Sequence, residues 1–138
     1  ETLLARTIRS RDAMQEAAFD LSTQFECAIL IKGGHLDEPS APDILLDDTT
    51  GLTHWFEAPR VSTRNTHGTG CSLSSAIASY LAQGKSLKDA VAQAKHYLTQ
   101  AILAGRHQVI GRGAGPVNHF YFLSSAVNTC QQADKVLT

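Results

Sequence analysis

The stretch Asn65-Thr-His-Gly-Thr-Gly-Cys71-Ser72 holds the residues best suited to chemistry. Two glycines flank Thr69 just ahead of a strong amphipathic pattern. The first backbone N–H groups of a helix have no internal partner, and the helix dipole is positive there. Glycines let a ligand come close to the backbone. Gly68, Thr69 and Gly70 therefore read as an anion hole, and phosphate is the anion that fits it best. The plainer reading is a glycine-rich turn with Thr69 or Ser72 as helix N-cap. The stretch is neither a Walker A loop nor a dinucleotide fingerprint. No Gly-Lys-Ser/Thr follows, and the third fingerprint glycine is missing.

Cys71 falls in the first turn of that helix. A thiol at such a place is drawn toward its thiolate form, which suits a proton acceptor or a nucleophile. The alternative is a small residue packing the helix onto a sheet. Lys32-Gly33-Gly34 closes a short apolar run, which puts an ammonium at a strand end. Cys27 and Cys130 read as small buried apolar residues. Trp55 and Tyr97 read as core or interface aromatics. No CxxC pair, no HExxH and no i, i+4 histidine pair occurs, so no metal site is expected in this chain.

The elements that must position these residues follow from periodicity. Ala13, Met14, Ala17, Ala18 and Leu21 predict a helix capped by Ser10. Cys27 to Ile31 predicts a strand buried on both faces, as in a parallel or mixed sheet. Residues 38–42 contain two prolines and read as a loop. Asp43 to Asp47 and Leu52 to Ala58 predict two strands joined by a hairpin at Asp48-Thr-Thr-Gly51. Leu73, Ala76, Ile77, Tyr80 and Leu81 share one helical face, with Gly84 past its end. Ser86 and Asp89 resemble a capping box. They open a third helix with Leu87, Ala90, Val91, Ala94, Leu98, Ala101 and Ile102 on its stripe, stopped by Gly105. Residues 124–138 are polar and read as a loosely docked tail.

The whole chain has 138 residues, 43% hydrophobic and 18% charged, with a formal charge of -1. That suits a soluble α/β domain able to bury one core. The balanced charge gives no reason to expect nucleic acid or an anionic membrane as partner. No run is long and apolar enough to span a membrane, and the first ten residues are no signal peptide. Three sparse cysteines argue against a disulfide framework and for a reducing, cytoplasmic setting.

The run Asn65 to Ala78 resembles the C-terminal signature of the ribokinase-like (PfkB-type) kinases. Those enzymes normally carry an aspartate where this chain has Cys71. A Gly-Thr-Gly-Cys version marks the vitamin-kinase branch of thiamin biosynthesis. Ile31-Lys-Gly-Gly-His35 and Gly111-Arg-Gly-Ala-Gly-Pro-Val-Asn-His-Phe120 resemble, within that branch, the hydroxymethylpyrimidine/phosphomethylpyrimidine kinases. The likeness runs from about Cys27 to about Phe122.

The resemblance implies part of a three-layer α/β/α sandwich, its C-terminal half, over residues 1–123. It implies transfer of the ATP γ-phosphoryl to a hydroxymethylpyrimidine and then to its monophosphate, with Mg²⁺. Gly68, Thr69 and Gly70 would donate N–H groups to the migrating phosphoryl, and Cys71 would hold the catalytic-base position. Lys32, Gly33, Gly34 and Asn65 would belong to the ATP site, and Asn65 and Thr66, just ahead of the hole, would fix its geometry through side-chain to backbone bonds. His35 and His67 carry little weight, and the Gly111 to His119 loop would close over the active-site side. Family members are roughly twice this long. The expected remedy is a complementary N-terminal half or a homo-oligomer, without which no kinase activity is expected. Hydroxyethylthiazole kinase, pyridoxal kinase and a non-catalytic phosphate-binding fragment are the competing readings.

Overall fold

A computed structural model describes residues 1–123. After a short 3-10 turn, the chain forms α1 (Arg11–Phe25), β1 (Ile29–Lys32), β2 (Asp43–Leu46), β3 (Thr53–Phe56), α2 (Thr69–Ala82) and α3 (Leu87–Gly105). Ser10 caps α1 as expected, its hydroxyl accepting from the Ala13 N–H. Met14, Ala17 and Ala18 are the buried residues of its stripe. Ser86 caps α3 by accepting from the Asp89 N–H. The Ser86 hydroxyl also donates to the Asp89 carboxylate, 2.7 Å away.

The three strands form one antiparallel sheet in the order β1-β2-β3. The register pairs Ile31 with Ile44, and Ile44 with Trp55. Side chains alternate across a strand, so these three share a face. They pack with Met14 of α1 and Leu36. Leu30 points the other way and packs against Leu73 of α2 with Ala94 and Leu98 of α3. The sheet thus lies between α1 on one side and the α2–α3 pair on the other. That is the three-layer arrangement expected.

Several expectations need correction. The strand read as Cys27 to Ile31 is Ile29–Lys32, and its residues are only half-buried or exposed. Among the described residues it ends the sheet, with a single neighbour. The fully buried strand is central β2, and the described sheet is antiparallel, not parallel or mixed. Cys27 is exposed, not buried, because it sits in the turn between α1 and β1. Leu81 is 42% exposed. At about 100° per residue it lies some 80° from Leu73, at the margin of the stripe. Gly105 is the last residue of α3, so the helix does stop there. It is small because the returning chain passes close, and the Asn118 N–H donates to Ala101 O at 3.0 Å. The expectations for Cys130 and for a tail over 124–138 lie outside the described residues.

Candidate functional site

Thr69 is the first residue of α2 and Gly68 its N-cap. Gly68 has φ of +79°, a left-handed conformation that a side chain resists. Neither Thr69 nor Ser72 acts as side-chain cap, which corrects the plainer reading. The Ser72 hydroxyl instead donates back to Gly68 O at 2.8 Å. The start of α2 is therefore closed by no side chain. Its Thr69 N–H makes a long contact of 3.3 Å to Thr66 O. The N–H groups of Gly70 and Cys71 have no partner among the described residues. Cys71 is exposed beside them.

Strand alternation aims Lys32 at this helix start. Lys32 pairs with Asp43 in the register, two residues on from Leu30 and on the same face. Its Nζ lies 3.5 Å from where a β-carbon on Gly70 would stand. Gly33 meets the neighbouring chain. A β-carbon there would lie 2.2 Å from Pro42 O. Its N–H is taken by Pro42 O at 2.7 Å and the Asp43 carboxylate at 3.1 Å. Gly33 is buried and that N–H is engaged, whereas Gly34 is exposed and lines the cleft described next.

Lys32, Gly34, His35 and Thr69 line a cleft of about 670 Å³ that also reaches Leu73 and Ile102. A second depression of about 500 Å³ begins at Cys71 and runs along α2 to Tyr97 and His119. Thr69 faces one and Cys71 the other, so the helix start stands between two openings. Tyr97 Oη and His119 Nδ1 are 2.9 Å apart, and burial pushes the Tyr97 phenol above its ordinary value.

Three side chains that hold the site were not singled out in the sequence: those of Asp43, Lys95 and Arg60. Lys95 of α3 lies 2.7 Å from the Asp43 carboxylate, with both side chains almost buried. Its Nζ also donates to Ala41 O at 2.6 Å. Arg60 donates to the carbonyls of Glu38, Gly34 and Leu36, which fixes the turn after Lys32. The signal for Lys95 was its place on the apolar stripe of α3.

Asn65 is turned into the protein, away from the cleft surface. The residue is 1% exposed, and its Nδ2 donates to Gly105 O at 2.7 Å and Gln108 O at 2.8 Å. The amide nitrogen is thus held by the protein's own carbonyls. The Gly111 to His119 loop lies against the segment before the helix, with His67 and Pro116 bridged. His35 and His67 are exposed. Trp55 packs in the core and carries the Arg11 guanidinium 5.3 Å over its ring.

For Mg²⁺, the described residues form no group of three or more carboxylate, imidazole or thiolate donors. The Asp43 carboxylate at the cleft is already paired with Lys95. No residue of this chain is assigned to the metal. No described helix is long and apolar enough to cross a membrane.

The phosphomethylpyrimidine kinase family profile matches residues 1–118. The chain is 47% identical over 119 residues to the thiamine biosynthesis bifunctional protein ThiED of Geobacter sulfurreducens, covering 86% of this chain and 24% of that protein. It is 50% identical over 94 residues to the hydroxymethylpyrimidine/phosphomethylpyrimidine kinase of Rhizobium meliloti, covering 68% of this chain and 35% of that one. Among solved structures it superposes on an ADP complex of Bacillus subtilis pyridoxal kinase with a TM-score of 0.77 and 29% identity. That match covers 86% of this chain and 43% of the other. A Staphylococcus aureus pyridoxal kinase holding AMP-PCP and pyridoxal gives a TM-score of 0.76 at 29% identity, over 84% of this chain and 42% of that one. The ribokinase-like α/β fold expected from the sequence is borne out. The chain spans less than half the length of each of these proteins.

Proposed function

Since the chain belongs to the phosphomethylpyrimidine kinase family, we propose that it supplies the phosphate-handling part of an ATP-dependent kinase of thiamin biosynthesis. The acceptor is the hydroxymethyl group of a hydroxymethylpyrimidine, and then the phosphate of its monophosphate. The observation that carries this reading is the unpartnered pair of amides at Gly70 and Cys71 with the Lys32 ammonium beside Gly70.

Phosphoryl transfer is mainly a matter of alignment and charge stabilisation. The N–H groups of Gly70 and Cys71, at the positive end of α2, receive the equatorial oxygens of the migrating phosphoryl. Lys32 neutralises charge on the ATP phosphates from the cleft side. The substrate alcohol attacks from the Cys71 side. Its oxygen bonds to the γ-phosphorus as the bond to the β-bridging oxygen breaks, and ADP leaves. The Cys71 thiolate takes the alcohol proton. Mg²⁺ would supply further charge neutralisation when bound with ATP.

The pyrimidine pocket lies outside these residues in this reading. A complementary segment of about the same size covers the free edge of β1 and the exposed Phe19 and Phe25 of α1. The two unpaired cysteines among the described residues suit a reducing, cytoplasmic setting. The likeness to pyridoxal kinases favours pyridoxal as the second substrate to test.

Calorimetric titration of the chain with ATP and Mg²⁺ tests the nucleotide part, and binding is expected. Turnover is tested by ADP release with hydroxymethylpyrimidine or pyridoxal, with and without the N-terminal portion of a curated relative. Turnover of hydroxymethylpyrimidine is expected only when both parts are present. Release by the chain alone, or absence of ATP binding, overturns the proposal.

A further inference from the structure

Asn65 is fully buried, yet its Oδ1 has no hydrogen-bond partner among the described residues. A buried, unsatisfied acceptor is costly and is rare in a folded chain. Its origin lies on the opposite side of the amide. Both Nδ2 hydrogens are held by carbonyls at the end of α3 and just beyond it, Gly105 O and Gln108 O. That orientation leaves Oδ1 facing Gly115. A β-carbon on Gly115 would lie 2.1 Å from Oδ1 and 2.8 Å from Cγ, so the Asn65 amide would have to leave its place between the two carbonyls. Two residues on from Asn65, the His67 N–H donates to Gly115 O at 3.1 Å. The backbone of Gly115 is therefore pressed against Asn65 on one side and tied to His67 on the other, directly ahead of Gly68.

We infer that Asn65 and Gly115 form a clasp that positions the anion hole. Asn65 is a positioning residue. It hangs the segment before α2 from the C-terminal end of α3, and Gly115 sets the spacing of the returning loop. The inference rests on the phosphate reading of the α2 start and deepens it. A shift of that start by about an ångström would spoil donor alignment at the phosphoryl without unfolding the domain.

The clasp makes a specific demand on a pair of substitutions. Asn65→Ala removes Nδ2 and Oδ1. Gly115→Ala drives a methyl into Oδ1. In the double variant the clashing atom is gone, and the new methyl stands 3.6 Å from the Asn65 β-carbon position, an ordinary contact. ATP affinity is measured by calorimetry with Mg²⁺ on the 138-residue chain, alongside its melting temperature. Each single variant is expected to weaken ATP binding about tenfold, and the double is expected to be no weaker than Asn65→Ala alone. Losses that multiply in the double variant overturn the clasp. So does wild-type affinity in a folded Asn65→Ala chain. If Asn65→Ala fails to fold, Gly115→Ala carries the test. A folded Gly115→Ala chain with wild-type affinity overturns the clasp too. Absence of ATP binding by the wild-type chain is a different failure, and it removes the phosphate reading itself.

Discussion

The Lys32 ammonium stands beside Gly70, with Nζ 3.5 Å from the place a β-carbon on Gly70 would take. A strand end and a helix start thus converge on one point. Charged hydrogen bonds contribute about 2 kcal/mol. Lys32→Ala should weaken ATP binding by about that much while leaving the melting temperature within a degree or two, since the side chain is exposed. Unchanged ATP affinity in this variant would remove Lys32 from the site.

The ion pair between Lys95 and Asp43 should matter to stability in an asymmetric way. Lys95→Met leaves the Asp43 carboxylate buried without its cation and should cost about 3 kcal/mol in urea unfolding. The paired replacement Lys95→Met with Asp43→Leu removes both charges and should cost less than Lys95→Met alone. Gly33 would still have Pro42 O as acceptor. A double variant less stable than the single would contradict this.

Cys71 should divide turnover from binding. In a Cys27→Ser background, which removes the other exposed thiol among the described residues, Cys71→Ala should lower reconstituted turnover by about 10²- to 10⁴-fold. The ATP dissociation constant should stay within about twofold, because the Gly70 and Cys71 amides remain. Full turnover in the alanine variant would exclude the thiolate as proton acceptor.

The acid range should report on Glu57. The Arg11 guanidinium, 2.5 Å away, holds the Glu57 carboxyl below its ordinary value of 4.5. A carboxylate so lowered adds stability above its ordinary value and loses it as pH falls through the lowered one. Wild type should therefore exceed Glu57→Gln in urea midpoint at neutral pH by a small margin, as the pair is half exposed. That margin should shrink as pH drops below 4.5. A margin independent of pH would show that the pair contributes nothing through charge.

Much of the fold was legible because its elements carry local signals. Ser10 and Ser86 announce their helices, and Asp48 to Gly51 announces a hairpin. Gly68 to Cys71 announced a helix start, and the Gly70 and Cys71 N–H groups there have no partner among the described residues. Burial was less legible. An apolar run such as Ala28 to Ile31 does not say whether it sits at the centre or the edge of a sheet, since that depends on how many strands flank it. The partners of Asn65, Lys95 and Arg60 were not legible either. Asn65 reaches carbonyls 40 and 43 residues away, and no spacing in the sequence encodes a contact of that kind. Lys95 left one trace, a charge among Val91, Ala94 and Leu98 on a buried helical face, which asks for a counter-charge without naming Asp43.

The most direct test of the phosphate cradle is a ¹H–¹⁵N spectrum of the chain titrated with ATP and Mg²⁺. The amide resonances of Gly70 and Cys71 should move furthest and saturate together, and Lys32→Ala should shift the same curve to higher ATP. Saturable ATP binding that leaves both amides in place would show that the start of α2 does not hold the phosphates.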